Sequence, residues 1–325
     1  MSKLNFAIRR LFQMVATLWV IATLLFVMFR AMPGDPTTYF LSEGMPPEAR
    51  ERLIAQYGLD EPTHVQYIEF LRSLVTLELG ISFHSGRDVI DIIWLYLPNT
   101  LVLMFSAIIF AYVIGIPLGV LAAWKRGEGT EKGAVILALV QRSFPEFWVG
   151  LVVLGIFGAW LDVIPMSGMT SGDHRPESFL AMITSLDFIW HLLAPAAVFG
   201  FYLMGLPLLL MRNNMLEVLA EDFVDVCRAK GLSERKVMFK HAARNALLPI
   251  VTAAAIAIGY AVGGAILVET VFSWPGLGRE MVRAVLRRDY PVAQGTFMLL
   301  ATTVVFMNFV ADLIYSWLDP RVTYE

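Results

Sequence analysis

Cysteine is nearly missing from this 325-residue chain, which has only Cys227. That excludes an internal disulfide and any multi-cysteine metal site, and leaves Cys227 as a small apolar residue. The five histidines show no metal-ligand spacing. No Gly-Lys dipeptide occurs, so the Gly-x-x-x-x-Gly-Lys loop that cradles nucleotide phosphates is absent. H-E-x-x-H and G-x-S-x-G are absent too, which removes the commonest motif-based routes to an intramembrane hydrolase. There is no internal repeat of the kind secondary carriers show. Charge is scarce. Acids and bases together make 16% of the residues, against roughly 25% in soluble domains. A net charge of -3 offers nothing to nucleic acid.

What fills the space is apolar, at 57% of the chain. Crossing a bilayer takes about 20 apolar residues, and six runs qualify: 11–29, 100–124, 134–160, 188–211, 247–272 and 292–317. The third is the weakest, interrupted by Gln141, Arg142, Pro145 and Glu146. The first follows Lys3, Arg9 and Arg10 as a signal peptide would, but it runs too long and leads into Arg30 and Met32-Pro33-Gly34-Asp35, so it reads as an uncleaved helix. The expectation is an all-α membrane protein with six transmembrane helices.

Orientation follows the cations. With both termini cytoplasmic, all six lysines (3, 125, 132, 230, 236 and 240) fall on inner segments. Segment 30–99 carries no lysine, and its five arginines are outnumbered by ten acids, which suits the outer face. One segment disagrees: 273–291 lies outside yet holds Arg279, Arg283, Arg287 and Arg288, so these arginines should pack or dock. The expected organisation is 1–29 as the N-terminal segment and first helix, 30–99 as a small outer helical subdomain, and 100–325 as a core with five more helices. In the outer segment, 48–56 and 65–77 have helical spacing.

The inner segment 212–246 is the most informative. Leu216, Leu219, Phe223, Val226 and Cys227 recur at helical spacing. Gly231 stops that helix, and Ser233 can cap a second one with Val237, Met238, Ala242 and Ala246 as its apolar stripe. Two amphipathic helices joined by Lys230-Gly231-Leu232-Ser233 serve either as a surface anchor or as a docking element.

Elsewhere, Arg142 and Glu146 are four residues apart and would share one helix face. They are the candidates for a polar pathway lining, or for a self-neutralising pair. Glu269 and Asp312 are expected at helix interfaces or capping backbone, and His191 in a structural role. Pro145, Pro195, Pro207 and Pro249 should mark helix breaks or starts.

The segment Asp225-Val226-Cys227-Arg228-Ala229-Lys230-Gly231-Leu232, closed by Arg244-Asn245-Ala246-Leu247-Leu248-Pro249, resembles the cytoplasmic signature loop of ATP-binding-cassette importer permeases. Asp225-Val226-Cys227 stands where Glu-Ala-Ala is usual. Ala229-Lys230-Gly231-Leu232 and the longer Gly-to-Pro interval are similar to the peptide, nickel and opine branch. The resemblance runs the length of the chain. It is carried by Pro33-Gly34-Asp35-Pro36, Tyr57-Gly58-Leu59-Asp60-Glu61-Pro62, Gly115-Ile116-Pro117-Leu118-Gly119, Phe272-Ser273-Trp274-Pro275-Gly276-Leu277-Gly278-Arg279 and Asp319-Pro320-Arg321.

The resemblance implies the type I importer permease fold, and, from the outer segment 30–99, the first of two permeases. It implies a multi-pass protein of the cell inner membrane, with residues 225–232 as the ATPase-coupling element. Its implied partners are a second permease, two ATPase subunits that bind the ATP, an extracytoplasmic solute-binding protein and the lipid bilayer. The chain itself is then neither an enzyme nor a cofactor carrier. Permeases of this branch serve dipeptides, longer peptides, glutathione, opines and nickel chelates, with the binding protein setting the solute.

Overall fold

The computed structural model describes residues 3–31, 60–172 and 178–318. The expected helix at 48–56 and the motifs at 33–36, 57–59 and 319–321 lie outside the described residues. In chain order the helices are α1 (Lys3–Ala31), α2 (Thr63–Thr76), α3 (Val89–Trp124), α4 (Gly129–Ser143), α5 (Glu146–Val153), α6 (Phe179–Ile183), α7 (Leu186–Leu203), α8 (Gly205–Val218), α9 (Asp222–Ala229), α10 (Glu234–Lys236), α11 (Ala243–Ala246), α12 (Leu248–Val271), α13 (Leu277–Leu286) and α14 (Tyr290–Leu318). Wider π-helical turns extend α5 through Leu154–Trp160 and join α10 to α11 through Val237–Ala242. Among the described residues the only β pairing is an isolated bridge, Ile81 with Asp88.

Helices Asn5–Arg30, Val89–Trp124, Leu186–Leu203 and Tyr290–Leu313 are each long and apolar enough to cross a membrane. The third apolar run is not one straight helix. Gly129–Ser143 and Glu146–Trp160 meet at a 97° bend and qualify only together. Each piece has 15 residues and so reaches only about 22 Å at 1.5 Å per residue, short of a hydrocarbon core of about 30 Å. Pro145 causes the bend by excluding the helical region from Phe144, and both residues are extended (ψ 136°). The fourth run is likewise divided, at Met204 between α7 and α8. Pro195, expected at a break, lies inside α7, as Pro98 and Pro117 lie inside α3.

Helix α3 is the axle of the molecule. Its 36 residues span about 54 Å, beginning eleven residues before the apolar run that revealed it. Leu103, Ala107, Ala111, Gly115, Gly119 and Ala123 are all buried at four-residue intervals, a small-residue seam that lets α7 and α8 approach closely. The larger core cluster gathers on Phe188, Phe199 and Trp274, with Phe188 and Trp274 in edge contact at 5.6 Å. Helix α1 packs on α14 through the Arg10–Asp312 ion pair at 3.0 Å and the Phe29–Tyr290 ring contact at 5.5 Å. It holds α2 through a hydrogen bond between Thr23 Oγ1 and the Tyr67 hydroxyl at 2.7 Å.

Candidate coupling turn and the polar sites around it

The helix pair on either side of Gly231 forms around a second cluster, made of Val120 and Ala123 from α3, Met211 and Met215 from α8, and Met238, Ala242, Ala243 and Ala246 from the returning helix. Each residue of the expected stripe Val237, Met238, Ala242 and Ala246 is buried. Phe239 closes the contact against Trp124 at the end of α3, edge to face at 6.2 Å. Asn214 donates to the Ala246 carbonyl at 3.3 Å. Arg212 donates to Glu131 through Nε at 3.0 Å and again through Nη2, and Glu131 accepts from the Gly127 N–H at 2.6 Å. That half-buried fork ties the start of α4 to α8 and was not legible from spacing, since its partners are 81 residues apart.

The first helix of the pair differs from the expected stripe. The chain breaks between Val218 and Asp222, resetting the helical phase. Val224 becomes the buried anchor at 0% exposure, while Val226 is 52% exposed. Cys227 is half-buried.

Gly231 ends α9 with φ at +71°, where a side chain is disfavoured. Its N–H donates to the Arg228 carbonyl at 2.9 Å, and the Leu232 N–H reaches the Cys227 carbonyl at 3.4 Å. That pair of bonds is the Schellman closure. Ser233 stands at the next N-cap without a side-chain cap bond; its carbonyl accepts from Lys236 and Val237 instead, at 2.8 and 3.0 Å.

Charges brace the turn. Arg228 donates from Nε to Glu234 at 3.0 Å and from Nη1 to Asp225 at 3.3 Å. The bond to Glu234 holds the guanidinium pKa above its ordinary value. Glu234 was the missed partner, joined to Arg228 only by the turn. Asp225, Val226, Arg228, Ala229, Lys230 and Gly231 are exposed, with Cys227 and Leu232 half-covered. The result is a pre-formed knob: its shape is fixed by Gly231 and its root is buried on Val224, Val237 and Met238.

Arg142 and Glu146 are not brought together. They fall on opposite sides of the bend, Arg142 exposed in the last turn of α4 and Glu146 buried in the first turn of α5. The expected i, i+4 pair is replaced by two separate dipole contacts, a cation at a helix C-terminus and an anion at an N-terminus. Glu146 Oε2 is buried and has no hydrogen-bond partner among the described residues. Nearby, buried Gln141 spans the α7–α8 junction, its amide nitrogen donating to the Phe201 carbonyl at 3.1 Å and its oxygen accepting from Gly205 N–H.

Near the C-terminal end of α12, Glu269 caps backbone as expected. Fully buried, it accepts from Thr100 Oγ1 at 2.6 Å and from the Arg279 N–H at 2.9 Å. Gly276 is required beside it, because a Cβ there would stand 2.1 Å from Glu269 Oε1. Asn99 donates to the Pro275 carbonyl at 2.7 Å, and Trp274 Nε1 donates to the Asn99 carbonyl at 3.0 Å. Asp289 accepts from Ser82 Oγ and the N–H groups of Phe83 and His84 at 2.5, 3.1 and 3.2 Å. His191 has the expected structural role, its Nδ1 lying 2.8 Å from the Asp187 carbonyl.

Two family descriptions match the chain: "Binding-protein-dependent transport system inner membrane component" over residues 115–324, and "Binding-prot-dependent transport system membrane comp, N-term" over residues 3–104. The dipeptide transport system permease protein DppB of Escherichia coli K12 is 38% identical, with 99% of each chain covered. The di/tripeptide transport system permease protein DppB of Pseudomonas aeruginosa is 36% identical over 99% of each. The oligopeptide transport system permease protein AppB of Bacillus subtilis is 36% identical over 98% of this chain and 99% of that one. With both parts of the chain matched and near-complete coverage of permeases over 30% identical, the chain belongs to the family of inner membrane components of binding-protein-dependent transport systems, as a multi-pass permease subunit.

Proposed function

We propose that this chain is one half of the membrane pathway of an ATP-driven peptide importer of the type I architecture. In this reading six helices cross the membrane, both termini face the cytoplasm, and residues 30–99 form an outer subdomain. The knob at residues 225–232 seats in separate ATPase subunits, two of which bind and hydrolyse the ATP. A second permease completes the pathway, and an extracytoplasmic binding protein delivers the solute. Peptides are favoured because the similar permeases named above serve dipeptide, di/tripeptide and oligopeptide systems.

The observation that carries the coupling role is the pre-formed, exposed turn at Gly231, rooted in a buried cluster that includes the end of α3. A push on the knob is thereby transmitted to the longest described helix. Arg142 and Glu146, at the bend of the third span, line the pathway in this reading. Broken helices are tolerated at membrane depth where the backbone is buried in protein or lines a water-filled cavity, and this reading gives the bend the second setting.

The test is reconstitution. Proteoliposomes holding this chain, its companion permease, the ATPase subunits and external binding protein should accumulate labelled dipeptide on ATP addition. Vesicles with this chain alone should show neither uptake nor hydrolysis. ATP-driven uptake by the chain alone would overturn the division of labour.

A further inference from the structure

The four outer arginines at 279–288 run against the cation rule that places every lysine inside. Arg279 and Arg283 lie four residues apart in α13, and Arg287 follows at its C-cap. Like charges at that spacing repel along a helix, although Arg283 and Arg287 also meet the negative C-terminal end of its dipole. Arg279 is committed to the fold, its guanidinium donating to the Ser273 carbonyl. Arg283 reaches Glu280 only at 3.7 Å, and Arg287 makes no ion pair among the described residues.

The turn closed by the Ile81–Asp88 bridge presents exposed Arg87. Together Arg87, Arg283 and Arg287 line a cavity of about 180 Å³ with His84 and Tyr96. Two acids also line it: Asp289 is already occupied by three donors from the same turn, and Glu280 stands 3.7 Å from Arg283, so three arginines face two acids and the cavity keeps a surplus of one positive charge. Exposed apolar residues adjoin its lining in sequence: Leu286, 78% exposed, precedes Arg287, and Leu95, 51% exposed, precedes Tyr96. An apolar anchor flanked by arginines is the anatomy of a protein interface.

Position narrows the occupant. Ile92 and Tyr96, in the first turns of α3, line the cavity, whereas Trp124 at the other end of α3 packs on the coupling helices. The cavity and the coupling knob thus lie at opposite ends of a helix about 54 Å long. The family depends on a binding protein, and the ATPase would occupy the other end.

We propose that Arg87, Arg283 and Arg287 receive carboxylates on the rim of the extracytoplasmic binding protein as it docks, with Leu286 as the adjoining apolar anchor. The inference rests on the importer reading above. Paired charges of this kind act chiefly on the association rate and its salt dependence.

The experiment measures association of the system's purified binding protein with the complete transporter in nanodiscs, at 50 and 300 mM salt. The Arg283→Glu/Arg287→Glu double variant should associate at least about tenfold more slowly at low salt and lose most of the salt dependence. The double Arg→Lys variant should keep both near normal. Basal ATP hydrolysis and complex assembly should be unchanged in all, which separates docking from misfolding. If the wild-type transporter fails to bind the binding protein, the importer reading itself fails. If wild type binds with strong salt dependence and the Glu variant matches it, the docking inference alone is wrong. It is equally overturned if the Glu variant changes only the response to phosphatidylglycerol against phosphatidylcholine nanodiscs, since the cavity would then hold a lipid phosphate.

Discussion

Replacing Gly231 tests whether the knob's shape matters separately from its bulk. Its φ of +71° costs an ordinary L-residue about 1–2 kcal/mol, and a β-branched one falls at the upper end because it is a stronger outlier there. A Cβ built at Gly231 meets no atom of the chain within 4 Å, so no internal clash adds to this cost. The Schellman bonds through Gly231 and Leu232 should therefore weaken about tenfold in Gly231→Ala, at 1.4 kcal/mol per factor of ten, and further in Gly231→Val. Gly231→Asn is the discriminating variant, because asparagine takes left-handed φ readily. It keeps the turn while adding a side chain at the tip.

The assay is ATPase capture by permease pairs in nanodiscs, with membrane abundance as a control. Ala should weaken capture several-fold and Val abolish it. Asn should retain the turn, yet still lose affinity if the tip seats against a surface. Wild-type capture and uptake by the Val variant, at normal abundance, would refute the reasoning and leave residues 225–232 as an ordinary solvated turn.

Other consequences follow from the buried polar sites and the topology. Glu269→Ala strands the Thr100 hydroxyl and the Arg279 N–H in a buried site, at about 1–3 kcal/mol each. For a total of about 2–6 kcal/mol, the melting temperature of the detergent-solubilised protein should fall by roughly 4–24 °C at 2–4 °C per kcal/mol, and an unchanged value would remove Glu269 as the clasp of this site. Cysteines placed singly at Lys132 and Glu61 in a Cys227→Ser background should react from opposite sides, with Glu61→Cys open to an impermeant reagent in cells with a permeabilised outer membrane. Labelling at Lys132 under those conditions would invert the topology. Arg142→Ala should leave assembly and basal hydrolysis intact and alter solute preference, since Arg142 is exposed and holds no ion pair among the described residues; loss of assembly would make it structural.

How far the sequence reveals the structure depends on whether a feature is periodic or long-range. The stripe Val237, Met238, Ala242 and Ala246 is buried throughout, because it falls on one continuous helix whose phase its own spacing reports. The preceding helix misled by phase: the break at 219–221 carries neither Gly nor Pro, so nothing local announces that Val224 replaces Val226 as the anchor. Prolines divide in the same way. Pro145 breaks the chain between two half-helices, while Pro98, Pro117 and Pro195 stay inside helices because packed neighbours hold those segments helical. The Arg142–Glu146 pair was read from spacing that presumes an unbroken helix, and the Pro145 bend removes that presumption. Partners such as Arg212–Glu131 and Asp289–Ser82 meet only in three dimensions. The turn at Gly231 was legible because one glycine between two amphipathic runs leaves few other geometries.

The central claim is that residues 225–232 seat in an ATPase subunit, and contact can be read directly. A photoreactive side chain placed at Val226, which is 52% exposed, would be irradiated in membranes carrying the whole transporter, with and without ATP. The account predicts a crosslink to the ATPase subunit whose yield changes with nucleotide, and none from the same group placed at Glu61. Crosslinks only to lipid or to the permease itself, in a transporter that still hydrolyses ATP, would contradict it.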